Sequence, residues 1–112
     1  MLSVHCPAAR FEHVRDESFV TLHVHGEVDL CARSELRAAL DDARLARPPV
    51  VVVDLSDVTF MDSSGMHELA HARRAVVRRG GRFVVASPSR RVLRLLDLWQ
   101  DTDAFEVGSA PA

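Results

Sequence analysis

VVVVDLSDVTFMDSSGMHEL, residues 50–69, joins a β-branched apolar run to a cluster of small polar residues and then to a segment of helical periodicity. The run VVVVDL, 50–55, has the character of a central strand covered by helices. Residues 64–79 place Leu69, Ala72 and Val76 on one side and stop at Gly80-Gly81, which predicts a helix with a glycine end. A buried strand that feeds a helix through a short polar loop is a unit of α/β architecture, so the fold class turns on whether the flanking sequence repeats it.

It does. SFVTLHVHG, 18–26, alternates Val20, Leu22 and Val24 with Thr21, His23 and His25, the pattern of a strand with one buried face. An earlier strand is expected within residues 2–14. Leu36, Ala39, Leu40 and Ala43 recur at helical spacing over residues 32–46, with Arg33 and Ser34 near the start and Pro48-Pro49 beyond the end. RFVVAS, 82–87, predicts the next strand. Residues 88–99 predict a third helix with a stripe of Val92, Leu95, Leu96 and Trp99, Pro88 suiting its first turn. AFEV, 104–107, adds a short strand. The expected fold is a single α/β domain over residues 1–108, with a mixed, mostly parallel β-sheet and packed helices, followed by a disordered tail at 109–112. The sheet is parallel where helices cross over and antiparallel where the first two strands meet.

Composition removes several functions. A chain of 112 residues is one ordinary domain that buries roughly 65% of its unfolded surface without disulfides or a structural metal. Hydrophobic residues at 47% and charged residues at 27% place it outside the regime of disorder. A net charge of -2 offers no electrostatic footprint for nucleic acid or an anionic membrane. All 14 basic residues are arginine, which excludes a lysine phosphate loop and Schiff-base chemistry. Cys6 and Cys31 form neither a CxxC pair nor a disulfide framework and read as reduced thiols. No apolar run approaches the roughly 18 residues of a membrane span, and MLSVHCPAAR lacks the charge and apolar core of a signal peptide. A cytoplasmic protein without cofactor or metal is expected.

The polar cluster occupies the carboxyl end of a strand, where ligands and switches gather in α/β sheets. Asp62, Ser63 and Ser64 are each able to cap the helix that follows, by accepting a bond from a free backbone N–H of its first turn. One cap needs one residue. At least one hydroxyl is therefore left over.

VVVDLSDVTFMDSSGMHEL resembles the signature of bacterial STAS domains of the anti-sigma-factor antagonist (anti-anti-sigma) family: a strand, a Phe-Met or Tyr-Ile pair, Asp-Ser-Ser-Gly-Leu and a helix. HGEVDL, 25–30, is similar to that family's second motif, Gly-Glu-Leu-Asp. The Gly-Gly turn, the FVVAS strand and RRVLRLLDLW follow in the family's order, so the resemblance covers nearly the whole chain. It implies that Ser63 accepts phosphate from an anti-sigma factor that is itself an ATP-dependent serine kinase. Unphosphorylated, such a domain binds the kinase and frees its sigma factor; phosphorylated, it lets go, and a PP2C-type phosphatase restores it. A phosphoserine at a helix N-terminus faces free N–H groups and the positive end of the helix dipole, so the modified domain need not unfold.

The resemblance also puts Asp29 beside the serine loop, although as a residue it serves equally well as a cap on the helix that begins near Ala32. The implied partner-binding set is Asp29, Asp62, Ser63, Ser64, Gly65, Met66 and His67. Relatives usually carry Gly-Leu-Gly where this chain has Gly65-Met66-His67, so a histidine and Glu68 are expected on an exposed, partner-facing first turn. Neither nucleic acid nor membrane is an expected partner, and the free protein is expected to be a monomer. Other family members serve within larger signalling or lipid-transport assemblies, which is an alternative role.

Two enzymatic patterns overlap the same helix. His67-Glu68-Leu69-Ala70-His71 fits H-E-x-x-H, in which two histidines grip zinc and the glutamate activates water. With six histidines and six glutamates, a chance match arises with a probability on the order of 2%, and a zinc hydrolase needs a third ligand that no downstream motif supplies. G-x-S-x-G around Ser63 fails at its first glycine, where Met61 stands, and no Asp-then-His follows. His23 and His25 share one strand face and read as a solvated pair rather than a metal site.

Overall fold

The computed structural model describes residues 8–99 and 105–108. Its elements are β1 (Ala9–Arg15), β2 (Phe19–Val28), a 3-10 turn (Leu30–Ala32), α1 (Arg33–Leu45), β3 (Val50–Met61), α2 (Ser63–Arg78), β4 (Arg82–Ala86), α3 (Arg90–Leu98) and β5 (Glu106–Gly108). The five strands lie side by side in chain order, β1-β2-β3-β4-β5. β1 and β2 are antiparallel, and every other pair is parallel.

Chain order decides where the helices go. A strand-helix-strand crossover is right-handed almost without exception, so three crossovers stepping the same way lay their helices on one face of the sheet. The core agrees. Val20, Leu22 and Val24 of β2, Val51, Val53 and Leu55 of β3, and Phe83 and Val85 of β4 form one cluster with Leu36 and Leu40 of α1, Leu69 and Val76 of α2, and Val92 of α3. Leu36 and Leu69 are fully buried, and each contributes about 2 kcal/mol by that burial. Val52, Val84 and Ala86 form a smaller cluster with Val50 on the opposite face.

Several boundaries differ from the sequence expectation. β3 runs on to Met61, six residues past the apolar run, because the mixed segment SDVTFM keeps pairing with β2 across two register shifts. The second shift lies between Gly26 and Glu27, where the Glu27 N–H donates to the Ala8 carbonyl at 2.8 Å. Gly26 has a φ of +89°, and a Cβ there would stand 1.9 Å from the Ala8 oxygen. Only glycine fits this bulge. β1 falls within the expected window and runs one residue past it, to Arg15; residues 2–7 of that window lie outside the described residues. α2 ends where the glycines predict, with Gly81 N–H donating to Val76 O at 2.9 Å and Gly80 N–H to Val77 O at 3.0 Å. α3 starts at Arg90 rather than at Pro88, since Ser89 takes the capping position and accepts from the Val92 N–H. β5 occupies 106–108, and the expected tail at 109–112 lies outside the described residues.

The polar face of β2 is also less solvated than alternation implies. Thr21 is buried. His23 Nδ1 lies 2.9 Å from Asp54 Oδ2, and His25 Nδ1 lies 3.1 Å from Asp57 Oδ2. The neighbouring strand sets acidic residues beside both imidazoles, which makes this a row of histidine-carboxylate pairs.

Candidate functional site

β2 and β3 are parallel neighbours, so their carboxyl ends emerge together. Val28 pairs with Met61, and the Asp62 N–H donates to the Val28 carbonyl at 3.2 Å. Asp29 and Asp62 thus leave adjacent strands side by side. Each does the same job. Both have extended backbones, Asp29 Oδ1 accepts from the Cys31 N–H at 3.0 Å, and Asp62 Oδ1 accepts from the Ser64 N–H at 2.9 Å. Short side chains that accept from the backbone two residues on are the usual way to start such a turn. Asp29 is therefore a cap on the 3-10 turn and a neighbour of the serine loop at once, so the two readings of this residue do not compete.

With Asp62 as the cap, the serine hydroxyls are spare. Ser63 is exposed and Ser64 half-buried, and neither hydroxyl has a hydrogen-bond partner among the described residues. Ser63 is the first residue of α2, whose first turn carries no acidic residue to occupy the positive end of the helix dipole. An anionic group at this position would meet that field, with Asp62 directly before it in the chain.

The residues after the serines do not all face outward. Gly65 and Met66 are buried, Met66 completely. A Cβ on Gly65 would approach Met61 Cγ to 2.8 Å and Val28 Cγ1 to 3.1 Å. The glycine lets the first turn of α2 sit directly on the ends of β2 and β3, and Met66 fills the core beneath it. These two shape the loop from below. Glu68 also corrects the expectation of an exposed acid: it is 5% exposed, and its Oε1 accepts from Arg33 Nε of α1 at 2.9 Å. Its place on the side of α2 that packs against α1, where an arginine crosses over, explains the burial. His67 is exposed as expected and meets the Trp99 ring edge-on, centroids 4.9 Å apart. It follows Ser63 by four positions, on the same ridge of α2.

Two residues that sequence reasoning passed over flank the loop. Leu30, next to Asp29, is 68% exposed, and Phe60, next to Met61 and paired with Glu27 of β2, is 42% exposed. The only signal for them was an apolar residue standing just outside a core pattern, beside a motif. Exposed apolar groups around a polar centre are characteristic of protein-protein contact.

The zinc pattern does not assemble. Its glutamate is engaged by Arg33, and among the described residues there is no group of three His, Cys, Asp or Glu side chains that could hold a metal ion. Nor does Ser63 hydrogen-bond to any histidine among those residues. Among them, too, no helix is long and apolar enough to cross a membrane.

Known proteins share this fold. The chain is 27% identical over 93 residues to the anti-sigma-B factor antagonist of Listeria monocytogenes, covering 83% of this chain and 82% of that one. Among solved structures it resembles an anti-sigma factor antagonist from Mycobacterium paratuberculosis, with a TM-score of 0.73 at 24% identity over 94% of this chain and 90% of that one. It also resembles the phosphorylated form of the Bacillus cell fate determinant SpoIIAA, with a TM-score of 0.69 at 20% identity over 88% and 90%. At these identities the structural likeness speaks for the fold. The family model for the STAS domain matches residues 10–108, the span that runs from β1 through the two aspartate-capped loops to β5, and the chain belongs to the STAS domain family.

Proposed function

We propose that this protein is an anti-sigma factor antagonist: unphosphorylated, it binds an anti-sigma serine kinase and releases a sigma factor, and phosphorylation of Ser63 switches it off. The observation that carries the reading is the spare Ser63 hydroxyl, exposed at the start of α2 while Asp62 makes the cap. Asp29, Asp62, Ser64 and His67 border it, and Gly65 and Met66 hold the turn from within. The name of the Listeria relative supports the same role. The protein acts here as a binding module rather than an enzyme, in the cytoplasm, and a PP2C-type phosphatase resets it.

The switch follows from charge. Phosphate adds about -1.5 to -2 at pH 7, beside Asp62 and Asp29. An interface that covered a neutral hydroxyl must then desolvate or expel that group, and a penalty of about 3 kcal/mol weakens binding more than a hundredfold. The fold tolerates the anion because the N-terminus of α2 faces it.

Calorimetric titration against the anti-sigma serine kinase of the same genome tests this. Ser63→Ala is expected to bind like wild type and to resist inactivation by kinase and ATP, and Ser63→Glu to bind at least a hundredfold more weakly with an unchanged melting temperature. Equal affinities for the two folded variants would reduce Ser63 to a structural residue. Phosphate mapped to Ser64 in Ser63→Ala would move the acceptor.

A further inference from the structure

Between α1 and α2 lies a cleft of about 360 Å³ lined by Arg33, Arg37, His67, Glu68, His71 and Arg74. Three guanidinium groups from two helices converge on it. The only acid in the lining is Glu68, which is buried at the floor and engaged with Arg33. In a chain of net charge -2, this is a local reversal of sign, of the kind that concentrates an oppositely charged ligand.

Arg33 and Arg37 are arranged to receive carboxylates. Glu68 holds Arg33 through Nε, so the guanidinium is oriented in advance, and its side chain, 48% exposed, lines the cleft with its two terminal nitrogens unused by that bond. A guanidinium fixed in this way loses little further freedom when it forms a paired bond to a carboxylate. Arg37 stands one turn along the same ridge of α1 and makes no ion pair among the described residues. The lining on α2 runs from His67 to Arg74, about 10 Å at 1.5 Å per residue, the length of roughly three residues of extended chain. It is built from side chains alone, without the converging backbone N–H groups that mark a compact phosphate site.

We propose that this cleft is a docking groove for an acidic, glutamate- or aspartate-rich segment of the protein that binds over Ser63. His67 belongs both to the cleft and to the Ser63 ridge, so a partner seated on the serine loop passes the mouth of the groove. Identifying that partner as an anti-sigma kinase rests on the function proposed above; the groove's preference for carboxylates does not.

An octaglutamate peptide is the probe, titrated into the full-length, isotope-labelled chain, with inorganic phosphate and magnesium ATP in parallel. The amide shifts are expected to centre on α1 and α2 around Arg33, Arg37, His71 and Arg74. The affinity is expected to fall at least tenfold in Arg37→Glu and severalfold in Arg37→Gln, while the charge reversal Arg10→Glu, on β1, changes it less than twofold. Equal loss in Arg10→Glu, no loss in Arg37→Glu, or shifts centred elsewhere would overturn the proposal. Phosphate or ATP binding at the cleft more tightly than octaglutamate would overturn it too, in favour of a phosphate ligand. Because the probe is a peptide, the groove can fail while the Ser63 switch stands, and the switch can fail while the groove stands.

Discussion

Replacing Arg33 by alanine strands the Glu68 carboxylate beneath α1, and the cost can be bounded from the geometry. The pair is 2.9 Å apart, with the Glu68 side chain 6% exposed and that of Arg33 48% exposed. Removing one partner of a wholly buried pair costs about 3–5 kcal/mol. Here the open cleft lets water reach the space the guanidinium leaves, so about 2 kcal/mol is expected. Glu68→Gln keeps the volume and an oxygen to accept from Nε, losing only the charge, for about 1 kcal/mol. At roughly 4 °C per kcal/mol for a domain of this size, the melting temperature should fall by about 8 °C in Arg33→Ala and about 4 °C in Glu68→Gln. The double variant, which no longer buries an unpaired charge, should be more stable than Arg33→Ala alone. Thermal and urea unfolding of the four proteins give the cycle. If Arg33→Ala melts within about 1 °C of wild type, or if Glu68→Gln costs more than Arg33→Ala, the ion pair is not what holds Glu68 inside. A glutamate kept as a zinc-site base would instead leave stability unmoved in Glu68→Gln.

Gly26→Ala should cost at least about 3 kcal/mol, since its Cβ would meet the Ala8 carbonyl at 1.9 Å at a φ of +89°; an unchanged urea midpoint would contradict the bulge. In Gly65→Ala, a helix-propensity gain of about 1 kcal/mol is opposed by overpacking of about 1–3 kcal/mol against Val28 and Met61. A net loss of about 1 kcal/mol is expected, and a stabilised variant would refute the close approach. Burial works to raise the Asp54 pKa, but the Ser56 backbone N–H, the Ser56 hydroxyl and His23 outweigh it and hold the group below its ordinary 3.8. A depressed carboxylate adds stability above that value and loses it as pH falls through the folded-state value. Asp54→Asn should therefore be less stable at neutral pH and show a shallower decline in stability below about pH 4. Identical slopes in that acid window would refute the assignment.

The elements that face the helices were readable because burial there follows period. Val20, Leu22 and Val24 alternate, and Leu69, Ala72 and Val76 recur at helical spacing, whatever happens on the far side of the sheet. Residues 56–61 were not readable as strand. Ser56, Asp57 and Thr59 are exposed, and their strand conformation comes from pairing with β2 across a bulge, a long-range fact absent from any local pattern. The loop itself was legible in outline, as three capping residues where one suffices. What could not be seen was the assignment of the cap to Asp62, which depends on the backbone bond between Asp62 and Val28. Glu68 was misjudged for a similar reason: a glutamate reads as solvated until the arginine that crosses from α1 is known. The histidines of β2 likewise took their partners from a neighbouring strand.

The edge-on contact between His67 and Trp99 has an optical consequence. The chain has one tryptophan and no tyrosine, so its ultraviolet emission comes essentially from a single indole, and that indole touches the residue one helical turn beyond Ser63. A protonated imidazole quenches indole emission at contact, and a neutral one does so weakly. Any event that shifts the first turn of α2, whether a phosphate on Ser63 or a partner closing over it, alters the quenching and therefore the brightness or colour of the unlabelled protein. The state of the loop can be followed in real time in a stopped-flow fluorimeter, with His67→Ala as the dark-to-bright reference.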